Sequence, residues 1–101
     1  MYKPLPESVT IQASGIHNLG LFADHDIKQA TNLGMTHFKI GDRIFRTPLG
    51  GFINHSYTPN CEKIQLHASS EEPFKKKWNL VTRQNIKKGE EITLRYTFYD
   101  I

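Results

Sequence analysis

Apolar and polar residues alternate over several short stretches of this chain, as they do in β-strands that bury one face. Residues 61–68 are the clearest case, because Ile64, Leu66 and Ala68 would lie on one face and the polar residues between them on the other. The pattern therefore predicts a half-buried antiparallel strand there and a mostly-β chain. The further predicted strands cover residues 9–12, 20–23, 78–82 and 92–96.

Turn residues separate these strands. Residues 38–40 and 43–45 flank Gly41 and Asp42, a pair that suits a two-residue hairpin turn. A Gly/Asn-rich turn is predicted at residues 14–18, and a polar surface loop at residues 69–77. Residues 47–53 could form one helical turn, but their proline and two glycines exclude a long helix. No window of eleven or more residues has a clean helical period.

One segment of the sequence is echoed later in the chain. Residues 21–28 (LFADHDIK) align with residues 80–87 (LVTRQNIK). Each copy is a strand followed by a polar turn and an Ile-Lys pair. Two copies do not make a solenoid. They predict two similar strand–turn units packed within one domain.

Length and composition limit the classes of protein to consider. The chain has 101 residues with 38% hydrophobic and 23% charged residues, which fits one globular domain spanning residues 1–101. Its net charge of +3 does not require a nucleic-acid partner. A lone cysteine, Cys61, excludes an internal disulfide and a Cys-rich zinc site. With neither a signal peptide nor a membrane-spanning run, we expect a cytoplasmic, intracellular protein.

Three short motifs carry candidate chemistry. Residues 54–60 (NHSYTPN) form a polar turn after the apolar pair Phe52-Ile53, and such Asn and Ser side chains stabilise turns through hydrogen bonds to nearby backbone. Residues 89–96 (GEEITLRY) are a turn, two carboxylates and a strand that ends in Tyr96. Earlier, residues 18–23 (NLGLFA) contain Asn18 and Gly20, two residues tolerant of unusual φ where a backbone must approach a ligand.

In this order the three motifs resemble those of the SET domain, the fold of protein-lysine methyltransferases. The resemblance implies several small curved sheets, little helix and a C-terminal pseudoknot in which the segment after Tyr96 threads past the 54–60 loop. It also implies binding of S-adenosylmethionine, released as S-adenosylhomocysteine, with no metal. By the same resemblance Tyr96 is catalytic and Phe98 and Tyr99 wall the substrate lysine channel. The implied cofactor-binding residues are Asn18, Leu19, Gly20, Leu21, Phe52, Asn54, His55 and Tyr96.

The sequence also departs from the family pattern. Asn18 replaces the first glycine of a Gly-x-Gly turn, and Gly51 stands where a basic residue is usual, with Arg46 as a candidate substitute. Leu94 replaces an aromatic residue that influences how many methyl groups are added. Cys61 matches the first cysteine of a zinc segment that closes the lysine channel in many members, yet the chain has no other cysteine. The channel is then either open or completed by a second copy in a homodimer.

The resemblance implies a minimal protein-lysine N-methyltransferase, like viral or bacterial members, that acts on a lysine of another protein such as a histone-like or DNA-associated one. A SET-like binding module without catalysis is the alternative that the departures leave open. A third hypothesis is a small β-domain that binds nucleic acid through residues 75–78 (KKKW). A solvated loop that leads into a strand with Trp78 in the core is the plainer interpretation of that segment, and we favour it.

Overall fold

Strands form where the alternating pattern predicted them, together with one helical turn. The computed structural model describes residues 5–67 and 76–95. The strands are β1 Val9–Ala13, β2 Leu19–Ala23, β3 Asn32–Ile40, β4 Arg43–Arg46, β5 Asn54–His55, β6 Cys61–His67, β7 Lys76–Thr82 and β8 Glu91–Leu94, and the helix is α1 Pro48–Gly51. The mostly-β prediction is confirmed for the described residues.

Two four-stranded sheets make up this part of the chain. The first has the strand order β1-β2-β8-β5, and the second, counted from its other edge, has the order β6-β7-β3-β4. All neighbours pair antiparallel except β5 and β8, which are parallel. The predicted hairpin joins β3 to β4, with Ile40 opposite Arg43 and Gly41 at a φ of 58°. A positive φ at that turn favours glycine.

The echoed segments form two equivalent units that bind each other. Ile27 and Ile86 exchange both backbone hydrogen bonds, at 2.7 and 2.8 Å. Four further hydrogen bonds form two equivalent pairs. Within each pair the two donor residues are 59 positions apart in sequence, and so are the two acceptor residues. These bonds run from Ala23 N to Glu90 O (2.9 Å), Thr82 N to Thr31 O (3.0 Å), Gln29 N to Asn85 Oδ1 (2.8 Å) and Lys88 N to Asp26 Oδ1 (2.9 Å). The sequence echo therefore reflects a true two-fold arrangement of the backbone.

Helix α1 packs its glycine directly on β3. Thr47 caps the helix, with its Oγ1 accepting from Gly50 N at 3.4 Å, and Pro48 occupies the first turn, where its missing N–H costs nothing. A Cβ on Gly50 would collide with the carbonyl oxygen of Thr36. The helix and β3 can therefore lie this close only with glycine at position 50.

The core lies between the sheets and contains side chains from both units. Leu21, Leu80 and Ile92 are fully buried, and Cys61 is 1% exposed. Burial, followed by the charge of Glu62, raises the pKa of the Cys61 thiol to about 12. A thiol in this state is a poor nucleophile at neutral pH, so Cys61 serves as a core residue.

The face predicted for β6 is wrong, although the strand itself is confirmed. Its register places Cys61 opposite Thr82 and Lys63 opposite Leu80. Both partners are buried, so the odd-numbered residues of β6 face the core side of the sheet. Ile64 is 37% exposed and Leu66 is 36% exposed on the other face. A shift of one residue in register exchanges the faces, and tertiary pairing has decided the register here.

The other strands add two corrections. Sequence patterning missed the first half of β3, where register shifts follow Asn32 and Met35 and Gly34 has a φ of 117°. Thr93 of β8 is 7% exposed, so this strand is buried on both faces rather than on alternate residues. Trp78 lies in the core at 9% exposure, as the plainer interpretation predicted. Within residues 5–67 and 76–95, no helix is long and apolar enough to cross a membrane.

Strand β3 also buries a titratable side chain. His37 is 6% exposed, and its Nδ1 lies 2.9 Å from Thr36 Oγ1. Burial, followed by the nearby charges of Lys63 and Arg46, lowers the pKa of His37 to about 4. The imidazole is therefore neutral in the folded protein at neutral pH.

Candidate functional site

The second and third motifs meet through the parallel pair β5–β8. Asn54 lies opposite Thr93, His55 lies opposite Leu94, and Ser56 N donates to Leu94 O at 3.0 Å. Residue 96, the predicted catalytic tyrosine, follows Leu94 by two positions. Tyr96, Phe98 and Tyr99 themselves lie outside the described residues.

The far end of the 54–60 loop is also attached to β8. The Asn60 side chain donates from Nδ2 to Glu91 O at 2.8 Å, and its Oδ1 accepts from Thr93 N at 2.9 Å. The Asn60 amide thus forms the two hydrogen bonds that a peptide group of a paired strand would form, and it satisfies the Glu91 C=O and the Thr93 N–H of β8. Both ends of the loop are therefore fixed on the strand that leads to residue 96.

The first motif forms a closed turn that ends in β2. Ser14 N donates to Asn18 O at 2.8 Å, and Asn18 has a φ of 36°, the positive value anticipated for it. Gly20 differs from expectation, because it lies in β2 and is not among the residues with positive φ. Its role is steric, since a Cβ there would collide with Glu91 Oε2 and lie 3.0 Å from Asn54 Nδ2.

The Asn54 side chain joins this turn to the second motif. Its Nδ2 lies 3.1 Å from Ser14 Oγ, 3.2 Å from His17 O and 3.1 Å from Leu19 O. It also lies 2.9 Å from Glu91 Oε2. Two N–H groups shared among these acceptors hold the amide nitrogen in the turn. Within the described part of the chain, Asn54 Oδ1 has no partner and so can accept a hydrogen bond.

Tyr57 and Arg95 were not singled out from the sequence, yet they lie beside the predicted residues. The Tyr57 ring meets the His55 ring edge-on at 4.6 Å, and the Arg95 guanidinium lies 5.8 Å from the Tyr57 centroid. Tyr57 is 79% exposed. An exposed aromatic ring within a polar motif was the available signal, because such rings commonly serve as contact surfaces.

A shallow cavity of about 160 Å³ opens beside the end of β8. Burial lowers the pKa of Lys63, one of its basic residues. The lining residues are Pro59, Cys61, Glu62, Lys63, Arg83, Leu94 and Arg95. Among the described residues, no group of three or more His, Cys, Asp or Glu side chains could hold a metal ion.

Some of the predicted cofactor-binding residues surround the Asn54 amide, whereas others lie in the core or elsewhere in the sheets. Asn18, Leu19 and Gly20 lie around the Asn54 amide, and Leu19 is 49% exposed. Leu21 is fully buried, and its backbone pairs with Ile11 and Ile92, so its side chain belongs to the core. Phe52 packs partly buried against the core, and His55 is half-buried in β5. Arg46, the suggested substitute for a basic residue at position 51, lies in β4 of the second sheet.

Comparison with known proteins gives a consistent result. The family model described as the SET domain matches residues 34–97, more than half of the chain. No curated protein has a matching sequence. Among solved structures, a Plasmodium falciparum protein described as a candidate histone methyltransferase aligns with a TM-score of 0.74 at 17% identity. That alignment covers 93% of this chain and 96% of the other, so the two share a fold.

Proposed function

The chain belongs to the SET-domain family, and we propose that it is a protein-lysine N-methyltransferase that uses S-adenosylmethionine. The parallel pairing of β5 with β8 carries the proposal, because it places the loop of residues 54–60 against the strand that leads to Tyr96. A methyl donor held by that loop and an acceptor amine beside residue 96 would then face each other.

The hydrogen-bond acceptors beside Asn54 suit the ammonium group at the methionine end of the cofactor. The Asn54 Oδ1, the carbonyls of His17 and Leu19 and the Glu91 carboxylate are all acceptors within this one junction. We assign the backbone of Asn18, Leu19 and Gly20 to the methionine end, and Asn54 and His55 to the adenine and amino ends, with Phe52 behind them. When bound, S-adenosylmethionine supplies an activated methyl group on a sulfonium.

The reaction needs a neutral lysine amine, because an ammonium group has no lone pair. Holding it neutral at pH 7.4 costs about 4 kcal/mol, since free lysine has a pKa near 10.4. An apolar channel and a nearby sulfonium both lower that pKa. The cofactor would supply a methyl group to the lone pair of this amine, with the S–CH₃ electron pair returning to sulfur, and the methylated ammonium would then lose a proton to solvent.

Alignment is the main contribution that the protein makes to such a displacement, and good alignment lowers the barrier by roughly 7–11 kcal/mol. We assign to the Tyr96 hydroxyl the orientation of the amine and stabilisation of the cationic transition state. Phe98 and Tyr99 would wall the lysine channel. The substrate we propose is a lysine on a flexible tail of a basic protein, such as a histone-like or DNA-associated protein.

The decisive experiment is methyl transfer from labelled S-adenosylmethionine to candidate basic proteins. Tyr96→Phe removes one hydroxyl and should lower the transfer rate roughly a hundredfold, as the loss of one transition-state hydrogen-bond donor does elsewhere. Tyr57→Phe is the matched control, because it removes the same hydroxyl from an exposed tyrosine of the 54–60 loop and should retain most activity. Equal labelling by the wild type and Tyr96→Phe would remove Tyr96 from its catalytic role.

A SET-like binding module without catalysis is the second candidate, and Gly51 favours it. The position is exposed and has no side chain with which to hold a cofactor carboxylate. Calorimetry with S-adenosylhomocysteine separates the two functions. Measurable affinity supports the methyltransferase, whereas a folded chain with none supports the binding module. Sedimentation in the same buffer tests the proposed homodimer.

A further inference from the structure

Glu91 joins three segments that are far apart in sequence. We propose that Glu91 and Ser14 form a positioning pair, which holds the 14–18 turn against Asn54 and thereby sets the shape of the cofactor pocket. The inference rests on the proposed function, because that function makes the turn part of a pocket. Neither residue needs to touch the reacting atoms, since Ser14 acts through the turn and Glu91 acts through the turn and the Asn54 amide.

The Ser14 hydroxyl transmits the effect of the carboxylate to the turn. It lies 2.7 Å from Glu91 Oε1 and 2.8 Å from Oε2, and it accepts from Ile16 N at 2.9 Å and His17 N at 3.3 Å. A hydroxyl has one proton and two lone pairs. If the proton is given to the carboxylate, both lone pairs remain as acceptors, and the two turn amides share them with Asn54 Nδ2, which lies 3.1 Å away. The bond to a carboxylate is charge-assisted, which makes this orientation the favoured one.

The carboxylate also acts on Asn54 directly. Glu91 Oε2 accepts from Asn54 Nδ2 at 2.9 Å, which keeps the amide nitrogen towards the turn. The amide oxygen is consequently left for a ligand. Reversal of this amide would place N–H groups where the proposed pocket needs an acceptor.

Backbone contacts hold Glu91 in β8 and thereby fix the direction in which its side chain leaves the strand. Glu91 pairs with Phe22 in the first sheet, and its carbonyl accepts from Asn60 Nδ2. The space that its carboxylate occupies exists because residue 20 has no Cβ. A glycine in a strand interior often marks such a close approach.

The preceding residue provides a matched control. Glu90 is exposed, and its Oε1 accepts from Lys87 N at 2.9 Å, a local bond within its own turn. Glu90→Gln and Glu91→Gln remove the same charge at neighbouring positions. Only Glu91→Gln introduces an N–H₂ group into a site where Ser14 and Asn54 both need an acceptor.

Two measurements on the full chain test the proposal. Hydrogen exchange at the Ile16 and His17 amides, without cofactor, reports on the turn alone. Calorimetry with S-adenosylhomocysteine reports on the pocket. Glu91→Gln should speed that exchange and weaken the affinity, each by roughly tenfold, the factor expected for one charge-assisted hydrogen bond. Glu90→Gln should change neither.

A second pair of variants covers the case in which Glu91→Gln fails to fold. Ser14→Ala breaks the link from the turn, and Ser14→Thr restores a hydroxyl. Loss with alanine and rescue with threonine would support the pair. Unchanged exchange at Ile16 and His17 in both Glu91→Gln and Ser14→Ala would overturn the proposal. If the wild type does not bind S-adenosylhomocysteine, the proposed function fails while the exchange result still decides whether the pair positions the turn.

Discussion

The two sheets of this protein share one plan and differ at one edge. Each sheet contains two paired strands that are consecutive in sequence, β1–β2 in the first sheet and β6–β7 in the second. The turn after β2 leads into β3 of the second sheet, and the turn after β7 leads into β8 of the first. The fourth strand breaks the symmetry. β4 follows β3 through a tight hairpin and runs antiparallel to it, whereas β5 comes from a distant part of the chain and runs parallel to β8.

The equivalent residues Asn32 and Glu91 show what this difference does. Asn32 lies opposite Val81 as Glu91 lies opposite Phe22. Asn32 Oδ1 accepts from Gly34 N of its own strand at 2.9 Å and from Asn79 Nδ2 of the paired strand β7 at 3.3 Å, both within the second sheet. Glu91 instead reaches Ser14 in the 14–18 turn and Asn54 in β5. The two repeated strand–turn units stabilise the fold. The additional strand β5 makes Glu91, but not its counterpart Asn32, part of the candidate site.

Leu21→Ala and Leu80→Ala test the equality of the two units. Both side chains are fully buried at matching positions. Each truncation should lower the free energy of unfolding by about 3 kcal/mol through lost burial and a residual cavity. Urea unfolding measures both, with Leu19→Ala, an exposed neighbour, as the control. If the two losses differed by more than about 1.5 kcal/mol, the units would not be energetically equivalent.

Acid should reveal an asymmetry, because β3 buries His37 while β8 contains no histidine. His37 takes up a proton near pH 6.5 in the unfolded chain but only near pH 4 in the folded chain. The contribution of neutral His37 to the free energy of unfolding is therefore fully present above about pH 6.5 and is lost as the pH falls towards 4, by roughly 2–3 kcal/mol.

Urea unfolding at several pH values across that range measures this loss. His37→Gln should reduce the pH dependence, whereas His25→Gln, at an exposed position, should retain it. An undiminished fall in His37→Gln would assign the acid sensitivity to another group.

The smallest expected effect concerns the residue with a positive φ in the turn that follows each echoed segment. Gly89 has a φ of 90°, and its counterpart Ala30 has a φ of 65°. Gly89→Ala should lower the free energy of unfolding by about 1 kcal/mol, because a Cβ at positive φ is strained and no other atom lies within 4 Å to compensate.

The reverse change, Ala30→Gly, should be close to neutral. It relieves the same strain but increases the entropy of the unfolded chain by a similar amount, about 0.4–1 kcal/mol. Thermal unfolding of the two variants side by side measures the contrast. Equal destabilisation by both would mean that the Ala30 turn differs from the Gly89 turn in more than its side chain.

Local features of the fold could be predicted from the sequence, because they arise from neighbouring residues. The hairpin at Gly41, the helical turn at Pro48 and the positive φ of Asn18 each have a local chemical cause. The echo at residues 21–28 and 80–87 even predicted the paired units. The orientation of β6 could not be predicted, because its register is set by Leu80 and Thr82 across the sheet.

The candidate site was predicted only in part, for a related reason. Asn54 and Gly20 belong to recognisable motifs, so their importance was visible. Glu91 looked like one of two ordinary surface carboxylates, because its partner Ser14 lies 77 positions away in sequence. Tyr57 gave only the weak signal of an aromatic residue in a polar loop. Long-range polar contacts of this kind leave no periodic pattern in a sequence.

The parallel β5–β8 pair has a consequence for how the molecule is made. Strands β1–β2 and β3–β4 are joined by short connections and can form early. Asn54 and His55 must wait for Thr93 and Leu94, and contacts between distant residues form slowly because the intervening chain loses entropy on closure. During synthesis, therefore, the hairpins can fold on the emerging chain, but the pocket itself can be completed only after nearly all of these residues have left the ribosome.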